Sequence, residues 1–169
     1  TGDEKEFFMP DACPECGAKV IREDDEVAYR CSGVDCPAKL KQNIIHFVSR
    51  DAMNIDGLGP ANMKLLTEKG LITSAADIYS LKSEELMTLD RFAEKSANNL
   101  IEAIEKSKEN ELDRLIYALG IRNIGQRAAT QLCEKFPSID LILSAEKEDI
   151  TSIEGFGDVM AENLYNALK

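Results

Sequence analysis

The sequence predicts a mainly α-helical protein in which a small four-cysteine finger precedes a compact array of four helical hairpins. Two observations predict it. Four of the five cysteines form two close pairs within the first 40 residues, and a twelve-residue pattern then starts at positions 55, 89, 121 and 153, that is 34, 32 and 32 residues apart. Such a period is typical of a repeated supersecondary unit. We therefore expect a finger with an N-terminal tail over residues 1–40 and a helical array over residues 41–169.

The first element is the cysteine cluster, in which Cys13 and Cys16 are followed after fourteen residues by Cys31 and Cys36. Two close pairs on either side of a short hairpin are typical of a tetrahedral thiolate cage, so the pattern predicts a structural zinc site. Gly17 can take the positive φ that a tight turn after the first pair requires. The alternative is a disulfide or a redox pair, which the second cysteine pair and the lack of a βαβ pattern disfavour.

Two short strands are expected between the cysteine pairs. Val20 and Ile21 indicate the first strand, Val27 and Tyr29 indicate the second, and the acidic run over residues 23–26 is expected to be a solvated turn. A segment this short cannot bury a core. The metal is therefore expected to supply the folding free energy of the finger.

The second element is the repeated pattern, whose places we number from one to twelve in each copy. The first and fourth places are apolar, the fifth is Gly or Ala, the ninth is small or flexible, and the twelfth is Leu. The four copies run over residues 55–66, 89–100, 121–132 and 153–164. This is the pattern of the helix-hairpin-helix, a motif whose backbone clamps nucleic-acid phosphates. The motif therefore indicates nucleic acid as the ligand, and it does so without any catalytic residue.

Helices are expected on both sides of each hairpin. They are predicted over residues 37–50, 60–69, 75–81, 83–88, 94–108, 112–119, 126–135, 139–143, 147–152 and 158–168. Pro60 occupies a first helical turn, where proline is best tolerated, and Gly70 follows as a stop signal. Because no strand-like alternation appears after residue 40, the rest of the chain is expected to be all-α.

The small residue at the fifth place explains how a hairpin can bind phosphate. It lets a phosphate approach the start of the second helix, where unpaired N–H groups and the positive helix end form an anion site. Such contacts carry no base information, so binding is expected to follow the sugar-phosphate backbone. The alternative is a helical pair that only packs. The candidate DNA-binding residues are Gly57, Gly59, Lys64, Arg91, Lys95, Arg122, Gly125, Arg127, Gly155 and Gly157.

The four copies are not equivalent. Copies one and two are neutral, copy three has a charge of +2 from Arg122 and Arg127, and copy four has a charge of −3. The third place holds Asn123 in copy three, which tolerates a left-handed backbone, but Arg91 in copy two, which does so poorly. We expect copy three to bind DNA most strongly, copy one to follow, and copy four to act mainly in packing.

Composition limits the other possibilities. The net charge of −11 argues against a simple nucleic-acid binder, whose surface is usually basic. Salt screens charge beyond about 8–10 Å, so backbone N–H groups can still bind phosphate, although weakly when the chain is isolated.

No apolar run has the length of a membrane span, and no signal peptide is recognisable. The clustered cysteines fit a reducing compartment. The lone Cys133 is expected to be a small buried hydrophobe, and the single His46 is expected to have a packed or surface role and not a catalytic one. The missing initiator Met indicates a piece of a longer chain.

In this order of motifs the chain resembles the bacterial NAD-dependent DNA ligases. A four-cysteine finger directly precedes the tandem hairpins, and the segments 46–50, 52–53, 55–59 and 119–125 are similar to the family's own. The resemblance covers residues 13–169. It implies that the four cysteines bind zinc and that the hairpins hold nicked double-stranded DNA across its minor groove. It also implies a bacterial cytoplasmic enzyme, associated with the nucleoid, that seals nicks in replication and repair with NAD and Mg.

The resemblance also implies that this chain is inactive alone. The family attacks NAD with the lysine of a Lys-x-Asp-Gly motif, but the similar string that ends at Gly57 begins with Asn54. We therefore expect NAD and Mg to be used through other domains of the same ligase chain, which are further partners. We expect no membrane contact and no self-association.

Two other classes of function remain open. Excision nucleases and Holliday-junction proteins also carry tandem hairpins, without this zinc module in front. An acidic protein-interaction scaffold is favoured by the negative charge. Salt-dependent affinity for nicked duplex would distinguish a DNA-binding module from a scaffold.

Overall fold

The computed structural model describes residues 8–22 and 27–168. It separates into two units, of which the first ends at Gln42 and the second begins at Asn43. The finger lies in the first unit. The repeated pattern lies wholly in the second.

The finger contains a two-stranded antiparallel sheet. Strand β1 (Val20–Ile21) pairs with β2 (Arg30–Cys31), so that Val20 lies opposite Cys31. The prediction of the second strand at Val27 and Tyr29 is wrong, because both residues precede it and are exposed. The strand instead includes Cys31, and pairing with Val20 brings this cysteine close to the turn that holds the first cysteine pair. The predicted acidic turn falls outside the described residues.

Helices make up most of the described chain. They are α1 (Pro37–Val48), α2 (Pro60–Glu68), a 3₁₀ helix (Ala76–Ser80), α3 (Ser83–Leu86), α4 (Glu94–Ser107), α5 (Leu112–Ala118), α6 (Gln126–Lys135), α7 (Ile139–Ser144), α8 (Lys147–Thr151) and α9 (Asp158–Leu168). Within the described residues no strand follows β2. The mainly helical fold class is confirmed.

One predicted helix has a different form. Residues 75–81 were expected to be α-helical, but the chain forms a short 3₁₀ helix there. The Asp77 carboxylate accepts hydrogen bonds of 2.8 Å from the backbone N–H groups of both Thr73 and Ser74. These bonds tighten the entry to the helix, and a single tight turn is the usual setting of a 3₁₀ helix.

The repeated pattern forms the core. The fourth-place residues are all buried, as are those at the ninth and twelfth places: Leu58, Phe92, Ile124 and Phe156; Met63, Ala97, Ala129 and Ala161; Leu66, Leu100, Leu132 and Leu164. At the first place Leu89 is only half-buried, whereas Ile55, Ile121 and Ile153 are buried. Copies three and four share one hydrophobic cluster. The repeated pattern therefore identifies the buried residues that pack between each hairpin and its helices.

The hairpin turns differ at their third place. Gly57, Asn123 and Gly155 have positive φ values of 97°, 65° and 86°. Among the described residues other than glycine, only Asn54 and Asn123 have positive φ, so Arg91 in copy two does not. The difference expected from the sequence between asparagine and arginine at this place is confirmed.

Candidate zinc site and nucleic-acid interface

The four clustered cysteines converge on one point. Their Sγ atoms all lie within 4.8 Å of one another, with 3.4 Å between Cys16 and Cys31 and 3.9 Å between Cys13 and Cys36. Zinc–sulfur bonds of about 2.3 Å in a tetrahedron require sulfur atoms about 3.8 Å apart. The distances are too long for disulfides, and the cysteines are free. The donor set and its spacing therefore fit a zinc ion with a closed coordination sphere.

Backbone turns position these thiols. The N–H of Cys13 donates to the Ala18 carbonyl and the N–H of Gly17 donates to the Cys13 carbonyl, each at 2.8 Å. Gly17 has the positive φ of 72° that this turn was predicted to need. On the second pair, the N–H of Gly33 donates to the Cys31 Sγ at 3.3 Å. A Cβ on Gly33 would lie 3.0 Å from the Cys16 Sγ, so this glycine makes room for the thiols.

Two of the clustered thiols, those of Cys13 and Cys16, have pKa values shifted in opposite directions. Backbone N–H groups, first of Glu15 and then of Cys16, lower the pKa of Cys13 to about 7. The Ala18 N–H lowers the pKa of Cys16, but the thiol of Cys31, burial and the other thiols outweigh it and raise the pKa to about 12. The Cys13 thiol therefore ionises more readily than the Cys16 thiol, and a bound cation would favour the thiolate form of both.

The hairpin tips show why glycine occupies the fifth place. Gly59 and Gly125 are the N-cap residues of α2 and α6, with ordinary φ values of −64° and −86°. A Cβ at Gly59, Gly125 or Gly157 would meet nothing within 4 Å. Neither backbone strain nor internal packing therefore requires glycine at these tips. Because glycine has no side chain, the space above the helix N-terminus stays open.

The same N-termini lack a side-chain acceptor. Gly59, Gly125 and Ala93, the N-cap of α4, carry no oxygen that could bond the first-turn N–H groups. Helix α7, by contrast, is capped by the Ser138 side chain. The first N–H groups of a helix have no intrahelical partner, so those of α2, α4 and α6 are available to an anion.

A groove runs between the tips of copies three and four. Its volume is about 420 Å³, and it is lined by Gly125, Arg127, Ala128, Gln131, Glu154, Gly155 and Met160. The side-chain amide of Gln131 donates to the Glu154 carbonyl at 3.2 Å, which joins α6 to the fourth hairpin. Two candidate glycines and one candidate arginine thus line one groove.

The candidate basic residues differ in availability. Arg127 and Lys95 are exposed, and Lys64 forms only an exposed ion pair of 3.7 Å with Glu68. Arg122 is half-buried and its Nε atom is fully buried, so part of its guanidinium belongs to the protein interior.

Arg91 lies against a different hairpin from its own. Its Nε donates to the Asn62 Oδ1 at 3.2 Å, and the Asn62 amide donates to the Gly57 carbonyl at 2.8 Å. Arg91 of copy two is therefore connected to the tip of copy one. Sequence reasoning missed Asn62, because an asparagine in a helical first turn carries no signal of a partner 29 residues away.

The acidic residues of copy four are exposed. Asp158 and Glu162 lie four residues apart on α9, as the periodicity predicted. The Glu162 carboxylate pairs with Lys147 on α8 at 3.1 Å, so one of the three acids is already partly neutralised.

The remaining reactive residues pack. Cys133 is half-buried, and burial, followed by the charge of Asp113, raises the pKa of its thiol to about 11. The His46 Nε2 lies 2.9 Å from the Tyr117 carbonyl oxygen, and its ring stands edge-on to the Tyr117 ring with centroids 4.8 Å apart. Of the packed or surface roles expected for His46, the structure therefore shows the packed one. Among the described residues, no helix combines the length and apolarity that crossing a bilayer requires.

Comparison with known families agrees with these two sites. Residues 12–38 match the NAD-dependent DNA ligase C4 zinc finger domain. Residues 49–106 match a SAM-like helix-hairpin-helix tandem, and residues 114–169 match a helix-hairpin-helix motif. The zinc finger, the helix-hairpin-helix motifs and the resemblance to NAD-dependent DNA ligases are confirmed. The number of motifs, four, stays a prediction.

Individual relatives are DNA ligases. The chain is 56% identical over 164 residues to a DNA ligase of Caldicellulosiruptor bescii, and this match covers 97% of the chain and 24% of the relative. The corresponding figures are 52% over 166 residues, 97% and 25% for Acetivibrio thermocellus, and 48% over 162 residues, 96% and 24% for Bacillus subtilis. The chain therefore spans about a quarter of the length of the curated relatives it matches.

Proposed function

We propose that this chain is the DNA-binding region of an NAD-dependent DNA ligase, and that it holds nicked double-stranded DNA by the sugar-phosphate backbone without regard to sequence. The observation that carries the proposal is the open space at Gly59, Gly125 and Gly157. Glycine there serves neither folding nor packing, and at Gly59 and Gly125 it lies above an uncapped helix N-terminus, where a phosphate would sit.

The chemistry of binding follows from the hairpin tips. Helix α2 begins with Pro60, which has no N–H, so Ala61 and Asn62 provide the first available donors. Helix α6 offers the N–H groups of Gln126 and Arg127, and the Arg127 side chain adds a positive charge beside the groove. Donors of this kind bind phosphate oxygens of the two backbones that border the minor groove of a duplex, and they cannot distinguish bases. Few side-chain charges are needed, which reconciles the function with a net charge of −11.

The finger would serve this function structurally. Cys13, Cys16, Cys31 and Cys36 would hold one zinc ion, and four thiolates leave no coordination position for a substrate. The ion would stabilise a segment that has little core of its own. We place the domain boundary at residues 40 and 41, between the finger and the hairpin array.

The sealing reaction itself is proposed for the whole ligase. It requires NAD, Mg and a nucleophilic lysine, which other domains of the same chain would supply. Asn54, in the position comparable to that lysine, has a φ of 53°, and its N–H donates to the Ser49 carbonyl at 2.9 Å. This residue lies in the loop that leads into hairpin one. We accordingly place the ligase in the bacterial cytoplasm at the nucleoid, acting in replication and repair without membrane contact or self-association.

Aspartate at the tips tests the proposal. Asp is a favourable N-cap, so Gly59→Asp and Gly125→Asp should keep or raise helix stability while placing a carboxylate where the phosphate would bind. Loss of one charge-assisted contact of about 1.4 kcal/mol or more lowers affinity about tenfold. Asn166→Asp adds the same charge at an exposed position of α9 and should change duplex affinity less than about twofold.

The measurement is fluorescence anisotropy with a nicked duplex across a salt series, accompanied by thermal melting of each variant. Weaker binding with unchanged or higher melting temperature supports the proposal. If both aspartate variants bind as the control does, the tips are not phosphate sites. Absence of any salt-dependent affinity in the parent chain would favour the protein-interaction scaffold.

A further inference from the structure

We propose that Arg114 is a positioning residue that fixes hairpin one to α5, the helix that leads into copy three, so that hairpins one and three engage one duplex as a rigid pair. This inference rests on the proposed function. It adds a residue that the repeated pattern does not contain, since Arg114 lies between copies two and three.

The Arg114 side chain forms hydrogen bonds with the loop that leads into hairpin one. Its Nε donates to the Ala52 carbonyl at 2.8 Å, and its Nη2 donates to the Arg50 carbonyl at 2.7 Å. The side-chain amide of Asn110 donates to the Met53 carbonyl at 2.8 Å. Three backbone carbonyls within four consecutive residues are therefore held by two side chains some 60 positions away.

The contact continues along α5. One turn beyond Arg114, the Tyr117 carbonyl bonds the His46 ring, and the Tyr117 ring packs against its edge. Arg114 and Tyr117 lie three residues apart, on neighbouring turns of one side of α5, and Asn110 lies just before the N-cap residue of this helix. The end of α1 and the loop that leads into hairpin one are thus both held by polar contacts from α5 and from the residues just before it.

Arginine suits this task better than other cations. Its planar guanidinium presents two donors in a fixed geometry, so two carbonyls can be held at once. Arg114 is half-buried, and both of these donors form hydrogen bonds with backbone carbonyls of the protein. Its effect on DNA would therefore pass through the hairpin it holds.

Rigid connection matters because two sites bind one ligand more tightly when their spacing already matches it. If the connection loosens, each site keeps its own affinity but the effective concentration of the second site falls. A positioning role therefore predicts a loss that appears only when both hairpins are able to bind. A purely stabilising role, or a direct charge contact, predicts the same loss in every background.

The experiment is a double-mutant cycle on duplex affinity with the full chain. Arg114→Ala is measured alone and in a Gly125→Asp background, where hairpin three cannot take a phosphate. We expect about a tenfold loss in the first case and less than about a twofold further loss in the second. Arg114→Lys retains the charge but not the paired geometry, and should lose most of the same affinity. Circular dichroism and melting establish that each variant is folded.

The outcomes separate the two claims. If Gly125→Asp has no effect by itself, the proposed phosphate site is wrong. If Gly125→Asp weakens binding but Arg114→Ala costs the same in both backgrounds, or Arg114→Lys binds like the parent chain, the positioning role is wrong while the proposed function stands.

Discussion

Gly33 offers a direct test of how the finger is built. Alanine at this position adds one methyl group, whose Cβ would lie 3.0 Å from the Cys16 Sγ, 3.1 Å from the Ala18 Cβ and 3.3 Å from the Cys31 Sγ. Gly33 does not have a positive φ, so backbone strain makes no contribution. Any effect of the substitution must therefore come from crowding around the thiols.

The size of the effect follows from those distances. Overpacking a tight site by one methyl group costs about 1–3 kcal/mol. Because folding of so small a finger is coupled to metal binding, this cost should appear as a loss of zinc affinity of about tenfold to a hundredfold. Gly59→Ala provides the matched control, since its Cβ would meet nothing within 4 Å.

Zinc affinity can be measured by competition with a chromophoric chelator in reduced protein. Gly33→Ala is expected to lose zinc at lower chelator concentration than the parent chain, and Gly59→Ala is expected to match the parent. If Gly33→Ala binds zinc as tightly as the parent, the four thiols are not held in the arrangement described, and the reasoning about this turn fails.

Three further predictions concern the metal, the chemistry and the hairpins. Chelation of zinc, or Cys31→Ser, should unfold the finger up to about residue 40 while far-ultraviolet circular dichroism retains the helical signal; loss of most of that signal would contradict it. Incubation with NAD and Mg should give no covalent adenylate by mass spectrometry, because Asn54 replaces the nucleophilic lysine. Arg122→Ala with Arg127→Ala should weaken duplex binding more, and flatten its salt dependence more, than Gly155→Val with Gly157→Val; the reverse order in folded variants would show that backbone geometry outweighs side-chain charge.

The sequence predicted the features that local chemistry determines. The twelve-residue pattern identified the buried positions because the spacing of places one, four, nine and twelve brings apolar residues to one side of the hairpin and its helix. Helix α6 begins at Gln126 directly after Gly125 and ends at Lys135 near Pro137, as predicted. The cysteine spacing predicted the thiolate cluster for a similar reason, since tight turns and a short hairpin determine it.

Features that depend on distant partners could not be predicted. The second strand begins later than expected because its register is set by the partner strand and by Cys31. The contacts of Arg114 with the loop of hairpin one span 62 and 64 positions, and that of Arg91 with Asn62 spans 29. An arginine in a helix carries no local sign of which carbonyls it will bind. Gly33 was likewise missed, since only the assembled cluster shows that a methyl group would not fit.

The central claim is that backbone N–H groups at the hairpin tips bind DNA phosphate. Titration of isotope-labelled chain with nicked duplex, followed by amide NMR, tests it most directly. The account predicts the largest shifts at the first-turn amides of α2 and α6, namely Ala61, Asn62, Gln126 and Arg127, and their loss in Gly59→Asp and Gly125→Asp respectively. Shifts confined to other surfaces, with these four amides unchanged at saturating DNA, would contradict the claim.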